Sequence, residues 1–169
     1  VVEHFSGNVE LLSYVNALCN DADISEDGAV TGEPTEAALQ KFAFDNGIFK
    51  RKAMAEQPRV AEAPFDSGRK MMSTLHRFGD KVIQYTKGAP DVILSRCTKY
   101  VSPVDGKTRD MDNKVREAIL AHNKAMADKA LRVLAAAFAV YNEIPEFNSP
   151  EEIEKELVFV GLSGMIDPV

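Results

Sequence analysis

Between residues 8 and 19 the apolar positions Leu11, Leu12, Val15, Leu18 and Cys19 recur at intervals of three and four, which places them on one face of a helix, with Asn8 set to cap its first turn. A polar stretch through Gly32 follows. Pro34 then opens a second helical pattern, which Ala38, Leu39 and Phe42 continue and Asn46-Gly47 closes. The period changes further on: residues 71–78 and 81–86 alternate as strands do, and the Gly79-Asp80 link between them predicts an antiparallel hairpin. Helical spacing returns after Pro90 with Val92, Ile93 and Cys97, and a turn at Pro103 to Gly106 leads to a long helix over 112–129 whose lysines and glutamates form a solvated face. Residues 133–141 and 157–165 read as two more strands, separated by a Pro- and Glu-rich connector with room for a short helix. Hairpins mixed with helical pairs predict an α+β fold, an antiparallel β-sheet flanked by helical pairs, rather than a doubly wound parallel one.

Composition narrows the class. A chain of 169 residues, 45% hydrophobic and 27% charged, suits one globular domain with a real core. Its longest apolar run, 133–141, is mostly alanine and too short to cross a bilayer, and the opening Val1-Val2-Glu3-His4 lacks the basic start and apolar core of a signal peptide, so a soluble domain is expected. Cys19 and Cys97 are too few for a disulfide framework or a zinc site; each falls in a helical pattern, where a buried, reduced thiol is the ordinary reading. The net charge of −6 argues against nucleic acid as a partner. A mononucleotide needs only a local patch, which Arg69, Lys70, Lys87 and Arg132 can supply against an unfavourable overall field, so modest affinity is expected. His4, His76 and His122 stand in unrelated contexts and suggest neither a metal cluster nor a Ser-His-Asp arrangement.

The richest local signal is Tyr85-Thr86-Lys87-Gly88-Ala89-Pro90-Asp91, where an alternating run ends in a cation, then a glycine, then a proline suited to a first helical turn. Such a junction can hold an anionic or planar ligand, with Gly88 letting the backbone come close; a plain strand-to-helix turn with a solvated lysine fits the same residues. Phe65 precedes the turn-forming Asp66-Ser67-Gly68, so its ring can lie at an edge and stack on a base, although on residues alone such a phenylalanine more often belongs to a core. Glu36 reads equally as a charge favoured at a helix start. Arg132, a guanidinium fork at the start of a strand, suits a phosphate or a surface salt bridge, and Lys70 a pocket cation or a solvated hairpin lysine. Finally, Asp23 to Val30 imitates the first eight positions of an EF-hand loop, but the twelfth position, which should be a bidentate glutamate, is Pro34. A calcium-binding module and a ligand-free interaction domain are therefore the rival readings.

Thr31-Gly32-Glu33-Pro34-Thr35-Glu36, Pro64-Phe65-Asp66-Ser67-Gly68-Arg69-Lys70-Met71-Met72, the Lys-Gly-Ala-Pro segment, Ala130-Leu131-Arg132-Val133-Leu134-Ala135 and Gly164-Met165-Ile166-Asp167-Pro168 occur in that order. Together they resemble the nucleotide-binding (N) domain of P-type cation-transporting ATPases, most closely the calcium-transporting branch, over nearly the whole chain. The resemblance implies a single domain over 1–169 of a larger membrane-embedded pump, with 164–169 starting the hinge to the phosphorylation domain. It implies that Phe65 stacks on adenine, Glu36 faces the adenine amino group, Lys87 and Gly88 line the same pocket, Lys70 adds a second cation and Arg132 reaches phosphate oxygens. ATP would be the ligand, Mg²⁺ would be held mainly by the phosphorylation domain, and the partners would be the phosphorylation and actuator domains of the same chain. The domain would lie in the cytoplasm. The family's phosphorylated Asp-Lys-Thr-Gly-Thr motif does not occur here, so this chain is expected to bind ATP and ADP weakly and to hydrolyse neither. Two positions depart from the pattern: Asp91 stands where calcium pumps commonly have Glu, and Ser67 where animal calcium pumps carry a phosphate-contacting Arg. Arg69 lies two residues on, but it is not counted as a ligand.

Overall fold

The computed structural model describes residues 1–166. Its frame is a sheet of eight strands in which β4 (Arg59–Asp66), β5 (Met71–Phe78), β6 (Lys81–Gly88), β9 (Leu131–Tyr141) and β10 (Leu157–Ile166) pair antiparallel in that order. Beyond β10 the sheet is finished by β7 (Cys97–Val101), β8 (Thr108–Asp110) and β1 (Glu3–Ser6). The fold is α+β as expected, with one departure: β7 runs parallel to β10. A small hairpin of β2 (Asp23–Ile24) and β3 (Val30–Thr31) stands apart.

Alternation along the central strands gives the sheet two buried faces. On one, Met72, Tyr85, Ala136 and Val160 pack against Leu12, Val15 and Leu18 of α1 (Val9–Leu18), with α2 (Pro34–Asp45) and α3 (Lys50–Glu56) alongside. On the other, Met71, Ala135, Ala137, Phe159 and Leu162 meet Ile93 and Leu94 of α4 (Pro90–Ser95) and Ile119 and Met126 of α5 (Asn113–Ala127). Each large apolar side chain sealed this way contributes about 1.5–3 kcal/mol. A third cluster joins Leu75 and Val82 to Ile153, under the connector that carries a short 3₁₀ turn over Pro150–Glu152.

The helix ends follow the sequence closely. Asn8 Oδ1 accepts from the Leu11 amide at 3.0 Å, a cap worth about 1 kcal/mol. Pro34 is the first residue of α2, and Gly47 follows its cap with φ +87°. Other expectations are corrected. The helical spacing through Cys97 breaks early: α4 ends at Ser95, and Cys97 opens β7, where apolar contact with the α5 side keeps it buried. The sequence pattern does not predict β1, β2, β3, β4, β7, β8 or α3, and each is short, charged or interrupted by proline. Both thiols are free and buried, and desolvation pushes Cys19 up to about 11 and Cys97 up to about 12. Of the proposed hinge, residues 167–169 lie outside the described residues; Gly164, Met165 and Ile166 complete β10. Among the described residues no helix is long and apolar enough to cross a membrane.

Candidate functional site

Antiparallel pairing sets Met72 and Ala136 on either side of Lys87, so these three share a face of the sheet, and alternation along β9 turns Leu134 and Arg132 the same way. At the end of this face, where α2 begins, lies a cavity of about 270 Å³ lined by Glu33, Thr35, Glu36, Phe65, Met72, Lys87, Gly88, Arg132 and Leu134. Met72 and Leu134 supply an apolar floor, Phe65 a rim, and the charged groups stand around it.

Lys87 is the most sequestered of the cations, with a side chain only 7% exposed. Its Nζ donates to Glu36 Oε2 at 3.1 Å, and the same oxygen accepts from the Asp21 amide at 2.5 Å. Glu36 sits in the first turn of α2, where the helix dipole favours its charge, and its own amide donates to Glu33 Oε2 at 3.0 Å. Burial works against ionisation of Glu33, but bonds from the Glu36 and Thr35 amides, helped by the Arg132 charge, outweigh it and hold that carboxyl below its ordinary value. The Thr35 hydroxyl is buried beside the Glu33 carboxylate and helps to keep it ionised. Beneath the α2 start, residues 18–22 are held by Lys50, Arg59 and Gln40, whose side chains donate to the Leu18, Asn20 and Ala22 carbonyls and Ala17 carbonyl. The acidic wall of the cavity is thus fixed before any ligand arrives.

Five of the six expected residues meet at this cavity: Glu36, Phe65, Lys87, Gly88 and Arg132. Lys70 is not among the lining residues. It takes a left-handed conformation, φ +61°, in the turn after β4, and its side chain is exposed. What Lys70 contributes is backbone: its amide donates to the Asp66 carbonyl at 2.6 Å and its carbonyl accepts from the Ala89 amide at 3.1 Å. That carbonyl also explains Gly88, because a Cβ there would lie 2.3 Å from it and 2.9 Å from Met71 Cα. Close approach of two strands, as much as of a ligand, demands the glycine. Phe65 is 58% exposed on the edge strand, as its turn-rich neighbourhood predicted. Arg69 turns away from the cavity onto Glu154, so it does not stand in for the arginine missing at position 67.

Glu33, Thr35, Met72 and Leu134 were not singled out. Glu33 and Thr35 lie inside the Thr-Gly-Glu-Pro-Thr-Glu segment and could have been found from it; Met72 and Leu134 follow only once the strand register is known. The EF-hand-like segment closes instead as the β2–β3 hairpin. Asp27 accepts from the Ser25 hydroxyl and the Ala29 amide, and Asp23 from the Ile24 amide, so these carboxylates serve the turn. No group of three or more His, Cys, Asp or Glu among the described residues could hold a metal ion.

The sheet flanked by two helical layers, with this cavity at one end, has the α+β architecture expected from the sequence motifs. A family model described as P-type ATPase, cytoplasmic domain N, matches residues 8–169, and the chain belongs to that family. It is 38% identical over 163 residues to Calcium-transporting ATPase 1 of Lactococcus lactis, covering 94% of this chain and 18% of that protein. It is 40% identical over 151 residues to Calcium-transporting ATPase 1 of Bacillus cereus, covering 89% of this chain and 16% of the relative. A cation-transporting ATPase of Synechocystis is 37% identical over 156 residues, covering 89% and 16% respectively. The chain therefore spans less than a fifth of the length of the relatives it matches.

Proposed function

We propose that this chain grips the adenosine end of ATP and leaves the γ-phosphate projecting towards an aspartate on a separate phosphorylation domain of a P-type cation pump. The observation that carries the reading is the cavity itself, in which an exposed aromatic ring stands beside a sequestered ammonium and a carboxylate over an apolar floor. At about 270 Å³ it falls just short of the range for whole drug-sized ligands, about 300–1,000 Å³. That suits a site which holds one end of a nucleotide and lets the rest extend outward. A purine fits between Phe65 and the Met72–Leu134 floor; Glu36 accepts from an exocyclic amine, and Thr35 lines the same cavity beside the Glu33 carboxylate. Arg132, exposed at the rim, is suited to phosphate oxygens.

Phosphoryl transfer depends on positioning and charge neutralisation, so separating the grip from the acceptor lets domain closure control the reaction. Mg²⁺ would neutralise phosphate charge; in this reading it is held by the phosphorylation domain, since the acidic residues at the cavity are engaged by main-chain amides and Lys87. Relatives named calcium-transporting ATPases make Ca²⁺ the preferred ion for the parent pump. The 169-residue chain is expected to bind ATP and ADP with similar, weak affinity and to hydrolyse neither. Phe65→Ala tests this directly. Base stacking is worth roughly 1–3 kcal/mol, so binding of ATP, ADP and adenosine should weaken by about tenfold or more. Calorimetry showing unchanged affinity, or turnover of ATP by the chain alone, would sink the reading.

A further inference from the structure

Phe65 sits where its strand loses its partner. Ala63 pairs with Ser73 and the next pair is Asp66 with Met71, so Pro64 and Phe65 together stand opposite Met72. Pro64 has no N–H to give to the sheet. An exposed aromatic on a bulged edge strand is free to move, and a ligand that must first order it binds more weakly.

Arg69 holds this segment. Its guanidinium donates to the Pro64 carbonyl at 3.1 Å and the Ala63 carbonyl at 3.3 Å, so one planar group fastens both residues that lead into Phe65. The rest of the fork meets Glu154, Nε to Oε1 at 2.5 Å and Nη2 to Oε2 at 3.1 Å. Glu154 is fully buried, accepts a further bond from Ser73 Oγ at 2.6 Å, and has its own carbonyl bound by Arg96 at 3.2 Å. Its neighbour Ile153 lies in the third apolar cluster. A chain of contacts therefore runs from the core, through a buried carboxylate 85 residues away from Arg69, to the backbone beneath the ring.

We infer that Arg69 and Glu154 are positioning residues for the Phe65 ring. The inference rests on the adenosine reading above and deepens it: the connector between β9 and β10, which lines no part of the cavity, sets how well the base is gripped. Stability alone does not call for an ion pair here, because a well-packed apolar pair of similar size often serves as well or better. What methionines cannot do is bind two carbonyls at a fixed place.

The test is the double variant Arg69→Met with Glu154→Met in the 169-residue chain, measured with adenosine, ATP and inorganic tripolyphosphate, together with fluorine NMR of fluorophenylalanine at position 65 assigned through Phe65→Ala. Adenosine affinity is expected to fall roughly tenfold, with the urea midpoint near that of the parent, tripolyphosphate binding unchanged, and the Phe65 signal moved towards that of a free ring. Arg69→Lys keeps the charge but cannot reach two carbonyls and two carboxylate oxygens at once; it should show a smaller loss of the same kind, and it carries the test if the double variant does not fold. Unchanged adenosine affinity in a folded variant overturns the positioning role while leaving the nucleotide reading intact. An equal loss for tripolyphosphate marks general distortion and overturns it too. A parent chain that binds no adenosine, or a Phe65→Ala variant that binds it as well, overturns the nucleotide reading and this inference with it.

Discussion

Two cation–carboxylate pairs flank the β5–β6 hairpin; both cations are largely buried, but the pairs differ in how the carboxylate is enclosed and in how many bonds join the partners. Lys87 and Glu36 meet through a single 3.1 Å contact at the edge of a cavity, with the glutamate side chain 21% exposed. Arg69 and Glu154 meet through two bonds beneath the opposite side of the sheet, where the glutamate is wholly enclosed and accepts a third bond from Ser73. A lysine is a compact charge on a flexible stem, and its partner can be exchanged for a ligand; an arginine fork locked on a buried carboxylate cannot be exchanged without leaving charges stranded. One pair lines a cavity, with its carboxylate reached by solvent. The other belongs to the scaffold that keeps the site in shape.

The sharpest way to break this contrast is Glu154→Ala. It leaves the Arg69 guanidinium, 10% exposed, and the Ser73 hydroxyl without their acceptor. Removing one partner of such a buried pair costs about 3–5 kcal/mol. Urea unfolding should show a loss of that size, much larger than for the double methionine variant, which strands no charge. Equal losses in the two would mean that the pair stabilises by its charges rather than by its geometry.

A third buried polar group shows what enclosure does to a titratable ring with no counter-charge. His76 is fully buried, Nδ1 lies 2.8 Å from the Gln57 carbonyl and Nε2 lies 2.9 Å from Thr74 Oγ1. A carbonyl only accepts, so the neutral ring carries its proton on Nδ1 and takes the threonine hydroxyl on Nε2. Desolvation lowers its pKa from 6.5 to about 4. Between those values the unfolded chain binds a proton that the folded chain does not, so stability is full above about 6.5 and declines as the pH falls towards 4. At about 1.4 kcal/mol per unit the whole decline amounts to roughly 3 kcal/mol. Urea midpoints measured across this range should fall in the parent and stay flatter in His76→Gln; a parent curve with no slope there would show that the ring charges without penalty.

These contrasts also mark what could be read before the fold was known. Periodicity sufficed for α1, α2, α5 and the β5–β6 hairpin, because each buries one face or alternates over a full element with its cap or turn residues in place. It did not suffice for β4, whose Glu62 and Pro64 disguise an edge strand, or for α3, in which only Ala53 is buried. At the cavity, Glu36, Phe65, Lys87, Gly88 and Arg132 announce themselves through local motifs, whereas Met72 and Leu134 depend on which strands pair and in what register. Arg69 illustrates the limit most clearly. Alternation would turn it the same way as Phe65, but it lies in the turn after β4, and its partner Glu154 lies in a connector whose course is set by tertiary packing alone.

The smallest effect is expected at the open pair, and it separates two roles for one lysine. In Lys87→Ala, Glu36 keeps its bond from the Asp21 amide and its access to water, so no charge is stranded, and the loss of stability, mostly the packing of the buried stem, should stay near about 1–2 kcal/mol. The loss of ATP binding has two sources, the ammonium and the buried alkyl stem. Charge interactions at a partly exposed site fade as the Debye length shrinks from about 8 Å at physiological salt to about 3 Å at 1 M. The ratio of variant to parent dissociation constants for ATP should therefore narrow as salt rises; taking the ratio removes the general repulsion between a polyanion and a chain of net charge −6, which salt relieves in both proteins. A ratio that stays constant across the salt range would assign the contribution of Lys87 to the packing of its stem, and would make this pair more like the sealed one than its geometry implies.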